Sequence, residues 1–375
     1  MQGESAVGKS GTLGLVVVGL GGVGSALLAG IEAARANLVH PWGSLVELGG
    51  AGRKSVPGDP CAPLRNCAPV AGLPDLVLGA FELKDDDGYR AAVRSGLISR
   101  ALIDELRPQL RRLQTMSGAK EAPSRRHLAD ALADDLRGFF THNHCARGVV
   151  VCTIPGPRSV ACGKLAYTSA ELWTALEDGA DWVTPCLIYA AAAAQAGFGF
   201  VAASQDAALA APGLSALFAE AGQPIAGTGL VGPDAVLREV LAQVLASEGL
   251  GLAGATSLST RVEERGARLW GGPDRTEEVG LASGWAGSSL ELGLELRGPV
   301  SLYLAGRALD AALLTDLAAR AGRSGAQEFL DALFATPVGS TPRGAAPRTL
   351  AERRARMTAE LPLLAAAVAS DVRAA

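Results

Sequence analysis

A glycine-rich turn near the amino terminus has the residue types and spacing that bind the phosphates of a nucleotide. Three glycines form the pattern G-x-G-x-x-G directly after the apolar run Leu13–Val18 and at the start of a helical pattern. The first glycine permits a tight turn, the second lets a pyrophosphate approach the backbone, and the third lets helix and strand pack closely. Free amides at the helix start add a positive dipole end. We predict a dinucleotide site, with NAD as cofactor, built from Gly19, Leu20, Gly21, Gly22, Val23, Gly24 and Ser25.

Two points stay open for this turn. A glycine-rich turn that binds nothing is the alternative interpretation, and the choice between NAD and NADP is not decided. Dinucleotide sites also use an acidic residue, about 20 positions on, for the ribose hydroxyls. Glu47, in the predicted strand at 44–48, and Glu82, after the apolar run at 76–78, are the candidates. Either carboxylate could equally lie on a plain surface.

The composition predicts a globular protein that binds neither nucleic acid nor a membrane. The 375 residues are 49% hydrophobic and 19% charged, with a formal net charge of −4. That charge gives no reason to expect nucleic acid, and no basic block marks a membrane-surface patch. The most apolar run, 187–203, contains Gln195 and two glycines, which favours a buried helix and strand over a membrane span.

The amino terminus and the cysteines favour the cytoplasm. The first ten residues are polar and show no secretory signal. The six cysteines have no metal-type pairing, and the length and class of the chain favour free thiols in a reducing compartment. A disulfide between Cys61 and Cys67 is left open.

The order of predicted elements indicates an α/β fold, a Rossmann-like doubly wound parallel sheet with a second, smaller α+β (oligomerisation) domain. Buried-strand patterns alternate with helical patterns through residue 203, as such sheets require. We predict a nucleotide domain at 10–205 plus 308–375 and the smaller domain at 206–307. Strands are predicted at 13–18, 44–48, 76–78, 148–154, 198–203 and, by alternation, 290–305. Helices are predicted at 23–36, 89–115, 127–140, 169–180, 185–196, 233–247, 309–321, from a Thr349–Glu352 capping box, and again from Pro362.

Four segments, taken in order, resemble one known family. They are the glycine turn with Leu45-Val46-Glu47-Leu48 after it, Asp75-Leu76-Val77-Leu78-Gly79-Ala80-Phe81-Glu82, Tyr189 to Gly197 with Phe200-Val201, and Asp310-Ala311-Ala312-Leu313. Over 12–250 and again around 290–322, their order is similar to that of the myo-inositol-1-phosphate synthase (inositol-3-phosphate synthase) family. Glu82 stands where the family has an aspartate.

The resemblance implies an NAD-dependent cyclase that acts on a phosphorylated sugar or related polyol and assembles as a homo-oligomer, dimer or tetramer. It implies that Glu82 and Asp310 belong to the cofactor site. It also shows departures, because Val231 stands at a family lysine and Arg238 at the next one. Arginine can hold a phosphate but is a poor proton shuttle, and valine cannot donate a hydrogen bond.

Three cations are the candidate catalytic residues. Arg158 and Lys164 follow the central strand at 148–154, and ligands of open α/β sheets bind at the carboxyl ends of strands. Arg238 joins them through the resemblance. The run His142 to Cys145 suits a surface loop better than a metal site, and no metal is expected. Two alternatives to the cyclase remain, a catalytically degenerate paralogue with a structural or regulatory role, and a simple NAD(P)-dependent oxidoreductase.

Overall fold

The computed structural model describes residues 11–48, 63–84, 86–118, 120–157, 159–160, 166–252, 261–262, 275–283, 286, 288–336 and 349–374. Arg158, Lys164 and Cys61 lie outside these described residues. Within them, no helix is long and apolar enough to cross a membrane.

A seven-stranded sheet organises most of the chain. Its strands, in chain order, are β1 (Leu13–Val18), β2 (Leu76–Glu82), β3 (Gln114–Ser117), β4 (Arg147–Cys152), β5 (Gly199–Ala202), β6 (Pro224–Ala226) and a last strand, Gly325–Ala326. Every pairing in it is parallel. The spatial order runs β3, β2, β1, β4, β5, β6 and then the last strand. This is the doubly wound order, in which the direction of winding reverses between β1 and β4.

The helices of the first half connect these strands. They are α1 (Gly22–Arg35), α2 (Gly88–Ser95), α3 (Arg100–Glu105), α4 (Arg107–Arg112), α5 (Arg125–His142), α6 (Ser169–Glu177), α7 (Pro185–Ala196) and α8 (Pro212–Glu220). The later helices are α9 (Pro233–Ser247), α10 (Val300–Arg320) and α11 (Leu350–Ala374).

Both faces of the sheet are covered by apolar helix surfaces, as its alternating side chains require. In β1, Leu13, Leu15 and Val17 join a core with α1, α10 and α11. Val16 and Val18 point to the opposite core, formed with α5, α7 and α8. A strand buried on both faces has no polar face, which explains the continuous apolar run in the sequence.

A second sheet is antiparallel and has four strands. Its members are β7 (Gly251–Leu252), β8 (Arg261–Val262), β9 (Arg275–Ser283) and β10 (Ser289–Arg297). The last strand of the large sheet, Gly325–Ala326, is numbered β11. β9 pairs with each of the other three. The predicted α/β fold with a doubly wound parallel sheet is thereby confirmed. The domain boundary at residue 205 stays a prediction, and the large sheet continues past it through α8 and β6.

Several predicted elements are correct to within a few residues. The helices at 185–196 and 233–247 match α7 and α9, and the capping box at the start of α11 is present. There the Glu352 carboxylate accepts from the Thr349 amide at 2.7 Å, and the Thr349 hydroxyl accepts from the Glu352 amide at 3.2 Å.

Three predicted elements are wrong. The strand at 44–48 is a turn, since the Asp310 carboxylate accepts from the amides of Leu45 and Val46, which a sheet partner would otherwise take. The helix at 89–115 is broken into α2, α3, α4 and β3, because α2 ends on Gly96 at φ +64°. The strand at 290–305 ends at Arg297, and α10 begins at Val300.

Three further elements and one helix boundary differ from the prediction. α8, β6 and β11 were not predicted. β6 and β11 have only three and two residues, which is too short for a recognisable pattern. Pro362 does not restart a helix, since α11 runs through it.

Candidate nucleotide site

The glycine turn lies at the point where the direction of winding reverses. It leaves the carboxyl end of β1 and opens α1, next to the carboxyl ends of β2 and β4. Gly19 has a φ of +87°, a conformation that favours glycine. Its amide donates to Phe81 O at 2.9 Å, and its carbonyl accepts from the Thr153 hydroxyl at 2.6 Å. The turn is therefore held from both neighbouring strands.

Gly21 and Gly24 differ in what a side chain would meet. A methyl group on Gly24 would lie 2.2 Å from Gly19 O and 3.1 Å from Val17 Cγ1, so this position requires glycine for helix and strand to pack. A methyl group on Gly21 would meet no atom within 4 Å. The backbone at Gly21 is thus open to a ligand, as the predicted approach of a pyrophosphate requires.

The start of α1 offers hydrogen-bond donors for an anion. Gly21 is the N-cap, and the amides of Gly22, Val23 and Gly24 begin the helix, where helix geometry provides no intrahelical acceptor. The first turn contains no acidic residue, and Ser25 is turned inward, its hydroxyl donating to Gly21 O at 2.6 Å. These amides and the helix dipole fit a pyrophosphate. The predicted turn residues are thus brought together in one place.

Glu82 is brought to the same turn, although it is distant in sequence. It is the last residue of β2, and its carboxylate accepts from the Leu20 amide at 2.9 Å. Glu82 lies much further along the chain than the usual position, about 20 residues after the glycine turn, because the segment between α1 and β2 is long. The end of the neighbouring strand is nevertheless where a doubly wound fold places that residue.

Glu47, the other acidic candidate, lies elsewhere. It pairs with Arg65 in the loop that precedes β2. Burial raises the pKa of the Glu47 carboxyl, and the charge of Arg65 opposes that effect. The structure does not bring it to the glycine turn.

Asp310 has hydrogen bonds to a different segment of the chain. It is fully buried on α10, and its carboxylate accepts from Ser44 Oγ at 2.6 Å and from the amides of Leu45 at 2.8 Å and Val46 at 3.1 Å. Burial raises the pKa of Asp310 to about 6, against these hydrogen bonds. Its described contacts anchor a loop to α10, and its predicted role with the cofactor stays a prediction.

Ser301, in the first turn of α10, lies against the glycine turn. A methyl group on Gly22 would be 2.9 Å from Ser301 Oγ and 3.2 Å from Leu97 Cδ1. Sequence analysis missed this neighbour because the alternating leucines at 290–305 predicted a strand at this position. A helix signal was present only further on, from residue 309.

The opposite wall of the site follows β4. The Thr153 amide donates to Val18 O at 2.9 Å, and the Ser204 hydroxyl donates to Thr153 O at 2.8 Å. A methyl group on Gly19 would lie 2.9 Å from Ile154 Cγ1. The loop after β4 is thus fixed against the glycine turn at its start. Arg158 and Lys164 come later in this loop, outside the described residues.

Val231 and Arg238 lie at and beyond the loop that joins β6 to α9. Val231 is 7% exposed, and its amide donates to Leu333 O at 2.9 Å. The same loop is tied to β5, since the Leu230 amide donates to Ala203 O at 2.9 Å. Arg238 is half-buried in the second turn of α9. The loop itself therefore contains the apolar Val231, and the first cation, Arg238, follows only within α9.

An apolar cavity of about 340 Å³ lies beside α1, and Leu97, which lies next to Gly22, forms part of its wall. Its walls come from α1, α10 and the segment around Trp42, and none of the described residues that line it is lysine or arginine. A phosphorylated ligand would lose its hydration there without gaining a charged partner. We therefore do not place the substrate in this cavity.

Metal ligands do not gather in the part of the chain that the structure describes. No group of three or more histidine, cysteine, aspartate or glutamate side chains could hold an ion there. His142 ends α5, and His144 and Cys145 lie in the turn before β4.

The strand order and the glycine turn define a dinucleotide-binding protein of the Rossmann class. The family model described as myo-inositol-1-phosphate synthase, an NAD-binding family, matches residues 13–343. The chain belongs to the myo-inositol-1-phosphate synthase family, which confirms the predicted resemblance and the predicted cofactor, NAD.

Individual relatives agree with this membership. The chain is 23% identical to inositol-3-phosphate synthase 1 of Bacteroides thetaiotaomicron over 390 residues, which cover 88% of this chain and 90% of the relative. The crystal structure of inositol-3-phosphate synthase from Caenorhabditis elegans superposes with a TM-score of 0.78 at 17% identity, covering 94% of this chain and 86% of that one. A myo-inositol-1-phosphate synthase-related protein from Thermotoga maritima gives a TM-score of 0.67 at 16% identity, with 92% and 97% coverage. At these identities the two structures establish a shared fold.

Proposed function

We propose that this protein uses NAD to cyclise or isomerise a phosphorylated sugar, with an altered set of polar groups around the substrate. The observation that carries the proposal is the open backbone at Gly21, next to the first amides of α1, in a chain that matches its family from residue 13 to 343. A cradle that a single methyl group would fill is what the approach of a pyrophosphate needs.

The residues of the turn would bind and orient the cofactor. The amides of Gly22, Val23 and Gly24 would donate to the pyrophosphate, and the close packing at Gly24 fixes their direction. When bound, NAD supplies a hydride acceptor that oxidises one carbon of the substrate and later returns the hydride. The residues at the carboxyl ends of β4 and β5 would hold the nicotinamide end, as in other doubly wound sheets.

The substrate phosphate would be held by cations at the same edge. Among the residues that the structure describes, the candidate for holding the phosphate is Arg238, in the second turn of α9. Two further candidates, Arg158 and Lys164, follow β4 in the sequence. A guanidinium can hold a phosphate through two parallel hydrogen bonds. It does not release its proton near neutral pH, so proton transfer needs a group other than Arg238.

A degenerate paralogue is the second candidate, and one observation favours it. At the position of a family lysine the chain has Val231, which is almost fully buried, and the end of β5 beside it has buried Ala202 and Ala203. These side chains cannot donate hydrogen bonds to an oxyanion. Losing one such donor commonly slows the chemical step by about 100-fold to 1,000-fold.

Phosphorus NMR of the purified protein with glucose 6-phosphate and a trace of NAD tests the proposal. We expect a new phosphate monoester resonance to grow over many turnovers with no net NADH, because the hydride is returned. Arg238→Met should abolish the resonance, and Arg238→Lys should restore part of it. The matched control is Arg137→Met, on the exposed face of α5, which should not change the rate.

The other outcomes identify the alternatives. NAD binding without any new resonance, from glucose 6-phosphate or other hexose and pentose phosphates, would contradict the proposal and favour the degenerate paralogue. Stoichiometric NADH accumulation would favour a simple oxidoreductase.

A further inference from the structure

We propose that Glu82, together with Arg94, positions the glycine turn by holding Leu20 through its backbone, and that Glu82 is not a ligand of the cofactor's ribose. The inference rests on the proposed NAD site and adds a positioning residue to it. It also concerns the difference at this position between this chain, which has glutamate, and the family pattern, which has aspartate.

The carboxylate of Glu82 is directed at backbone amides. Oε2 accepts from the Leu20 amide at 2.9 Å, and Oε1 accepts from the Lys84 amide at 3.0 Å. The residue is 7% exposed. Each oxygen accepts from a backbone amide of the protein, and the burial of the residue leaves little of the carboxylate open to a ribose.

Arg94, from α2, holds the backbone carbonyl of Leu20, the residue whose amide donates to Glu82. Its Nη2 donates to Leu20 O at 3.3 Å and lies 3.7 Å from Glu82 Oε1. The guanidinium also pairs with Asp86. The amide and the carbonyl of Leu20 are therefore both held by charged side chains, and Arg94 lies between the carboxylates of Glu82 and Asp86.

This arrangement divides the amides of the turn between two tasks. The Leu20 amide donates into the protein, so it keeps the turn in place and is not offered to the cofactor. The amides of Gly22, Val23 and Gly24 remain for the pyrophosphate. A misplaced Leu20 would move Gly21, the residue whose open backbone the pyrophosphate approaches.

The length of the side chain matters for this role. Glu82 reaches the turn after β1 from the end of β2, across one strand spacing. An aspartate is shorter by one methylene group and would leave the buried Leu20 amide without its acceptor. An unsatisfied buried donor is costly, so the turn would relax instead.

Calorimetry with NAD and with an NAD analogue that lacks the 2′-hydroxyl of the adenosine ribose tests the assignment. We expect the wild type to bind the two nucleotides within about threefold, and Glu82→Asp and Glu82→Gln to weaken both by the same factor of about tenfold, the size of one charged hydrogen bond. Glu32→Gln, a half-buried glutamate on α1 itself, is the matched control and should leave both affinities unchanged. A wild type that loses affinity for the deoxy analogue, with the loss absent in Glu82→Gln, would overturn the proposal.

Hydrogen exchange of the nucleotide-free protein gives a second test that needs no ligand. We expect the Leu20 amide to exchange at least about tenfold faster in both Glu82 variants, with the exchange of β1 and β2 unchanged. Unchanged exchange at Leu20 would refute the positioning role. If instead Leu20 exchange rises as expected but the wild type binds neither nucleotide, the proposed NAD site fails and the hold on Leu20 stands.

Discussion

Asp310 and Glu82 are two buried carboxylates that hold different segments of the backbone, because they lie on different elements. Asp310 is 0% exposed, and its carboxylate oxygens accept from Ser44 Oγ and from the amides of Leu45 and Val46. Glu82 lies at the end of β2 against the glycine turn. Both residues were predicted from the sequence as cofactor residues. Glu82 reaches the turn because β2 ends there, beside β1. The order of strands in the sheet decides this, and residue spacing in the sequence does not reveal that order.

The raised pKa of Asp310 predicts a pH dependence of stability. The folded value is about 6 and the ordinary value is 3.8, so between these values the folded state keeps a proton that the unfolded state has lost. The stabilising contribution is therefore complete below about pH 4 and is lost as the pH rises through about 6, by roughly 3 kcal/mol. Urea unfolding between pH 4 and pH 7 measures it.

Asp310→Asn provides the comparison for that measurement. The variant cannot titrate at this position, so the difference in unfolding free energy between wild type and variant should change across the same interval. Parallel pH profiles for the two proteins would show that the carboxyl has an ordinary pKa in the fold.

At the scale of elements, the contact between α1 and β1 determines the shape of the site. Gly24 allows the helix to lie so close to the strand that a methyl group would be 2.2 Å from Gly19 O. The sequence pattern predicted this packing role correctly, because it depends only on neighbouring residues. The turn at 44–48 and the break after α2 were predicted wrongly, since they depend on Asp310 and on Gly96, respectively.

Gly24→Ala should therefore destabilise the protein. We expect a loss of about 2 to 3 kcal/mol in unfolding free energy, since the backbone must shift to admit the methyl group. Gly30→Ala is the matched control on the same helix, where a methyl group meets no atom within 4 Å. It should stabilise by about 0.5 to 1 kcal/mol, as helix propensity predicts. Equal effects of the two substitutions in urea unfolding would contradict the close packing.

At the scale of the whole molecule, the predicted doubly wound sheet, family and cofactor are confirmed, while the substrate side depends on proposals. The sheet was predictable because its central strands are continuous apolar runs. The substrate side was not, because the resemblance aligns Val231 and Arg238 with family lysines, and what these two residues do there is a proposal. Ser301 could not be found either, since it reaches the turn only through the fold.

Titration of NAD into the wild type, Gly21→Ala and Gly30→Ala by calorimetry tests the central claim most directly. We expect the wild type and Gly30→Ala to bind NAD with equal affinity. Gly21→Ala should bind at least about tenfold more weakly, with an unchanged unfolding midpoint, because its methyl group fills the space of the pyrophosphate and touches no protein atom. NAD binding to Gly21→Ala with the affinity of the wild type, or no binding to the wild type, would contradict the account.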